Sequence, residues 1–92
     1  MREAQFVVKH AVGLHARPAA RFVKLAKQFE SEISVQNITR DGESVNAKSL
    51  VKVIKIAAAQ HQEIRISIEG ADEEGALAAI ADFLENVPEE EQ

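Results

Sequence analysis

The sequence predicts an α+β domain with the element order β-α-β-β-α-β-α, in which three helices cover one face of an antiparallel four-stranded sheet. Three observations predict it. Ile64, Ile66 and Ile68 alternate strictly with Glu63, Arg65, Ser67 and Glu69, the period of a strand buried on one face. Ala19, Phe22, Val23 and Ala26 recur at i, i+3, i+4 and i+7, opposite a stripe of Arg17, Arg21, Lys24 and Gln28, as in an amphipathic helix. The two periods change places repeatedly within 92 residues, so strands and helices are short and interleaved. Half-polar strands and one-faced helices fit two layers, with the sheet open to water on its far side.

The elements follow in order. Ala4, Phe6 and Val8 alternate with polar neighbours and predict β1 at about 3–9; Gly13 then punctuates the chain. The first helix runs from Ala16 to about Gln28, and Phe29 extends its apolar row. Ile33 and Val35 alternate in a second strand, and Asp41-Gly42 is a hairpin signal because glycine tolerates the positive φ of tight turns. Val35 and Ile38 are out of phase by one, which predicts a bulge or an irregular extended segment. Val45 lies in the returning third strand. A second helix is predicted from about Ala47 to Ala59, with Leu50, Val53, Ile54 and Ala57 on one face and Lys48, Lys52 and Lys55 on the other. Val51 falls on the lysine flank, outside the core, while Leu50 and Ile54 lie nearer to it. After the fourth strand, Gly70 ends the run, and Asp72, Glu73 and Glu74 crowd the first turn of a last helix, where its dipole favours acids. Leu77, Ile80, Ala81 and Leu84 are the predicted buried stripe of that helix, which Gly75 weakens by roughly 1 kcal/mol relative to Ala. Residues 1–88 are thus expected to form a single domain, followed by a short acidic tail at 89–92.

Composition excludes several functions. Eleven Lys and Arg against fifteen Asp and Glu give a net charge of −4, a poor basis for binding nucleic acid or anionic lipid, since phosphate affinity needs clustered positive charge. The charge is unevenly placed. Residues 1–27 hold six basic and one acidic side chain, whereas residues 63–92 hold one basic and ten acidic. With no Cys there are no disulfides and no thiolate chemistry. No apolar run approaches the ~20 residues of a membrane span, and the N-terminus has no signal-peptide pattern, so a cytoplasmic location is expected. His10, His15 and His61 share no metal-ligand spacing, so no metal site is expected. Phosphate-loop and serine-hydrolase motifs are likewise absent from the sequence.

One segment carries chemistry: Gly13-Leu14-His15-Ala16-Arg17-Pro18-Ala19-Ala20. His15 falls where a loop meets a helix N-terminus, and Pro18 is tolerated in a first turn because the N–H groups there have no intrahelical partner. The free amides of Ala16 and Arg17, with the helix dipole, make an anion site, and the Arg17 guanidinium adds charge to the same anion. An imidazole is an available nucleophile near neutral pH. The parts together would hold a phosphoryl group on His15.

Gly-Leu-His-Ala-Arg-Pro-Ala resembles the active-site signature of the HPr family, the histidine-containing phosphocarriers of the bacterial phosphoenolpyruvate-dependent phosphotransferase system. Val45-Asn46-Ala47-Lys48-Ser49-Leu50 resembles that family's regulatory-serine segment. Ile64–Gly70, followed by Ala71-Asp72-Glu73-Glu74 and Ala76-Leu77, resembles its last strand and helix entry. The match runs in register over roughly residues 4–87. The resemblance implies the HPr-like open-faced β-sandwich and a phosphocarrier rather than a self-sufficient enzyme. It implies that His15 accepts phosphate from Enzyme I on its δ nitrogen and donates it to a sugar-specific EIIA, without a cofactor or metal. It assigns phosphate stabilisation to Arg17 and the helix start beside the histidine to Pro18. It places Ala20, Lys24, Lys27, Lys48, Leu50, Val51, Lys52 and Ile54 on the partner-docking surface. It implies, for the serine at 49, modification by an HPr kinase/phosphorylase and contact with a transcriptional regulator. That serine could equally be a helix cap or first-turn residue.

Some features depart from the family pattern. Val12 stands where many members carry a small polar residue, the connection between the second and third strands is longer than usual, and Ala57 and His61 occupy positions often filled by glycine. The expected state is a monomer. The nitrogen-related paralogue and a regulatory module acting through phospho-Ser49 remain alternatives to the sugar system. The Lys48-Ser49 segment leans towards the sugar branch, and the presence of His15, Arg17 and Pro18 speaks against a purely regulatory role.

Overall fold

The structure, a computed structural model, describes residues 1–9, 16–56 and 58–86. Its elements are β1 (Arg2–Val7), α1 (Ala16–Ala26), β2 (Glu32–Asn37), β3 (Val45–Asn46), α2 (Leu50–Lys55), β4 (Glu63–Glu69) and α3 (Glu73–Glu85), in the predicted order. The strands form one antiparallel sheet ordered β1-β4-β2-β3. β4 is central: Ile66 faces Ala4 on one side and Val35 on the other, and Ser67 faces Glu3 and Ser34. The strict alternation of β4 therefore sorts the whole sheet. Ile64, Ile66 and Ile68 point to the helices and are fully buried, as are Val35 and, nearly so, Ile33. Glu63, Arg65, Ser67 and Glu69 line the open face with Ser34 and Gln36, exposed or half-buried.

α1 buries Ala19, Phe22, Val23 and Ala26, the predicted stripe, and leaves Arg17, Arg21, Lys24 and Gln28 exposed. It ends at Ala26 rather than Gln28, because Gln28 and Phe29 donate to Leu25 and Ala26 in the tighter i→i+3 turns that close helices. α3 buries Ala76, Ile80 and Leu84, so its core stripe is a strict i, i+4, i+8 row. Leu77 and Ala81 sit half-buried beside it, and Phe83 stacks at a tilt against Phe22, 6.0 Å between ring centres.

α2 differs most from expectation. It is six residues long, not thirteen, and buries Val53 but not Leu50 or Ile54. Tertiary bonds shorten it. The Ala47 amide donates to Ile33 at 2.9 Å, continuing the β3 ladder, and Ser49 is the N-cap, its Oγ accepting from the Lys52 amide at 3.4 Å. Ala47 and Ala58 are nevertheless buried, as non-helical core residues. The β2–β3 connection carries the expected irregularity: the Ile38 and Thr39 amides both donate to the Glu63 carbonyl, two residues against one, as in a bulge. Asp41, not Gly42, takes the left-handed conformation there (φ 53°), which short polar side chains tolerate. His61, at a position the sequence marked as unusual, also has positive φ, 75°.

At the far end of the sheet, the Asp72 carboxylate accepts the Glu30 amide (2.8 Å), the Ser31 amide (3.0 Å) and the buried Ser31 hydroxyl. It ties the start of β2 to the entry of α3 and makes no side-chain cap on its own helix. The Ser31 hydroxyl, then the Glu30 and Ser31 amides, hold the Asp72 carboxyl below its ordinary range. The Gly70 amide and the amino terminus do the same for Glu73. Val12, Gly13, His15, Ala57 and the tail lie outside the described residues.

Candidate functional site

The site is built on the start of α1. His15 itself lies outside the described residues; it is bonded to Ala16, where the helix begins. Arg17 is exposed in the first turn and Pro18 is buried. Proline in that first turn gives up an N–H that has no partner in a helix, so the helix accommodates it at no cost in hydrogen bonding. The first turn carries no acid to oppose an anion. The Ala16 and Arg17 amides stand at the positive end of an eleven-residue helix, and the Arg17 guanidinium makes no ion pair with any described residue.

Beside this end, α1 and α2 pack together. Ala20, Val23, Lys24, Lys27 and Leu50 line a shallow groove of about 270 Å³. Val51 is 63% exposed, and Leu50 and Ile54 about 40% each (40% and 38%). Leu50 and Ile54 are the less exposed pair, as helical geometry suggested, yet all three belong to the surface. Lys52 is exposed on the same helix. The structure therefore brings Ala20, Lys24, Lys27 and Leu50 to one groove, and leaves Val51, Lys52 and Ile54 exposed on α2.

Lys48 stands apart from that group. It precedes α2 and is half-buried, and its Nζ donates to the Phe29 carbonyl at 2.7 Å. A cation there satisfies a carbonyl just past the C-terminus of α1, where the dipole is negative. Ser49 is half-buried at the α2 N-cap, its φ/ψ of −108°/111° typical of a cap. The role of Lys48 had no sequence signal, since Phe29 lies nineteen residues away. No cluster of His, Asp or Glu among the described residues could hold a metal ion, and no described helix is long and apolar enough to cross a membrane.

Residues 2–86 match the family model described as the PTS HPr component phosphorylation site. The chain is 48% identical over 77 residues to a multiphosphoryl transfer protein of Vibrio cholerae, aligning 84% of this chain with only 19% of that protein's length. It is 37% identical over 89 residues to the phosphocarrier protein HPr of Borreliella burgdorferi, covering 97% of this chain and all of that one. Among solved structures, HPr-C-His from Thermoanaerobacter tengcongensis superposes with a TM-score of 0.87 at 41% identity, over 94% of this chain and 93% of the other. The open-faced sheet, the helix that begins at Ala16 and the match over residues 2–86 agree: the chain belongs to the PTS HPr family of phosphocarriers.

Proposed function

We propose that His15 takes a phosphoryl group from phospho-Enzyme I on its δ nitrogen and passes it to a histidine of a sugar-specific EIIA. The phosphorus–nitrogen bond on the donor breaks as the one to His15 forms, and the reverse exchange unloads the carrier. Arg17 and the amides of Ala16 and Arg17 hold the phosphoryl oxygens. One flexible guanidinium and two helix-end amides make a moderate, exposed cradle, as a carrier that must also release its cargo requires. The partners supply in-line positioning and the remaining charge stabilisation. Lys24, Lys27 and Lys52 steer acidic partner surfaces onto the apolar patch of Leu50, Val51 and Ile54. This is the work of a monomeric domain in the cytoplasm, and the carrier itself needs no cofactor.

What supports the reading is the run His15-Ala16-Arg17-Pro18 in the sequence, with an amphipathic helix beginning at Ala16, in a chain that matches the family model described as the PTS HPr component phosphorylation site. Ser49 is the regulatory position in the same scheme. A phosphate there would add about −2 charge at the α2 N-terminus, within the docking surface, and repel acidic partners. Phosphoenolpyruvate and Enzyme I should give an acid-labile, base-stable phosphoprotein, and His15→Ala should abolish it. Undiminished labelling of His15→Ala would refute the assignment.

A further inference from the structure

The short connection between β3 and α2 is pinned to the sheet by its backbone and to α1 by a side chain. The Ala47 amide donates to the Ile33 carbonyl at 2.9 Å, the Lys48 amide to Asn46 Oδ1 at 2.9 Å and the Ser49 amide to the Asn46 carbonyl at 3.1 Å. Lys48 Nζ donates to the Phe29 carbonyl at 2.7 Å. Lys48 is half-buried, so its ammonium has given up part of its water, and the carbonyl replaces it. A charged donor makes the stronger class of hydrogen bond. Phe29 itself belongs to the i→i+3 turns that close α1, its amide donating to Ala26 at 3.3 Å.

Both ends of this bond lie two residues from the groove between α1 and α2. Lys27, two residues before Phe29, and Leu50, two after Lys48, line that groove with Ala20, Val23 and Lys24. One hydrogen bond thus closes the run Lys27-Gln28-Phe29 onto the run Lys48-Ser49-Leu50. Apolar packing holds the two helices together without direction; the bond is directional and fixes how Lys27 and Leu50 stand relative to each other. We propose that Lys48 is a positioning residue for partner docking, which acts by holding Lys27 and Leu50 in place rather than by touching the partner. This rests on the reading of Lys27 and Leu50 as part of the surface that meets Enzyme I. Arg17 stands at the other end of α1, so loss of the bond separates docking from phosphoryl transfer.

The test measures the intact chain as substrate of phospho-Enzyme I, at a temperature where circular dichroism shows each variant folded. Lys48→Met keeps the alkyl stem and removes the ammonium. It should raise KM about three- to tenfold and leave kcat unchanged. Without partner, it should shift the amide resonances of both Lys27 and Leu50. The same change in a Leu50→Ala background should raise KM by less than about twofold, because the group that Lys48 holds in place is already gone. A cation that touches the partner would cost the same factor in both backgrounds. Wild-type KM in folded Lys48→Met, an equal loss in the two backgrounds, or unmoved Lys27 and Leu50 resonances overturns the positioning role while leaving the docking surface in place. Wild-type KM in Leu50→Ala alone overturns the docking reading, and the role of Lys48 with it.

Discussion

Alanine at Gly70 and at Gly75 should change stability in opposite directions. Gly70 follows β4 and has φ 157°, and a Cβ built on it would stand 2.6 Å from Ser31 Cα, 2.8 Å from its Cβ and 2.5 Å from its Oγ. Backbone cannot rotate away, so the start of β2 must move, and with it the Ser31 and Glu30 amides that bind Asp72. The conformation costs about 1–3 kcal/mol for a residue with a side chain, and overpacking about 1–3 more, together roughly 2–6 kcal/mol. A chain of this length has roughly 5–14 kcal/mol in all. The midpoint of thermal unfolding should fall on the order of 10–40 °C. Gly75, within α3, would meet only Phe29 Cε1, at 4.0 Å. There alanine is free of conflict and should add about 0.5–1 kcal/mol through helix propensity. Urea unfolding followed by far-ultraviolet circular dichroism suits a chain with no Trp or Tyr. The reasoning fails if Gly70→Ala lies within about 0.5 kcal/mol of the wild type, the range of an ordinary surface change, or if the two substitutions shift the midpoint the same way.

Acid should loosen the tie between β2 and α3. Asp72 and Glu73 titrate below their ordinary values of 3.8 and 4.5 in the folded chain, so their contribution is complete above those values and is lost as pH falls through the lower, folded ones. Asp72→Asn should therefore flatten the acid limb of the urea midpoint between pH 5 and 2, and an unchanged limb would count against the assignment. His61→Gly should raise stability by about 0.5–1 kcal/mol, because glycine adopts φ 75° without the steric cost, offset in part by its larger unfolded-state entropy; a lowered urea midpoint would show that the His61 side chain contributes more than its backbone costs. Arg17→Glu removes a charge-assisted contact worth about 1.5–3 kcal/mol and should slow phosphoryl uptake roughly 10- to 150-fold, read from single-turnover labelling; an unchanged rate would remove Arg17 from the cradle.

Much of this was legible from local pattern. Ile64, Ile66 and Ile68 could satisfy their alternation only as a strand buried on one face, and the Ala19–Ala26 row only as a helix whose basic stripe faces water. Lys24, Lys27 and Leu50 line one groove, which forms between two helices more than twenty residues apart in sequence. The second helix misled because its apolar residues continue in helical phase beyond both real ends. Nothing local reveals that Ala47 is already committed to Ile33 or that the surface keeps Leu50 and Ile54.

The sequence by itself determined the element order, the inward face of each long element, the separation of basic front from acidic back, and the histidine, arginine and proline in register at a helix start. These depend on residue type and spacing along one segment. Only the tertiary structure decided where α2 begins, that the Lys48 ammonium binds the Phe29 carbonyl just past α1, that Asp72 clamps Ser31 instead of capping α3, and that the Gln62 carbonyl and the His61 amide hold Val8. The physical reason is common to all four: a buried or half-buried polar group must find a partner, and here that partner lies up to fifty-four residues away in the chain, as Gln62 does from Val8. Periodicity names the face a side chain takes, but only the packed fold brings such donors and acceptors within 3 Å of each other.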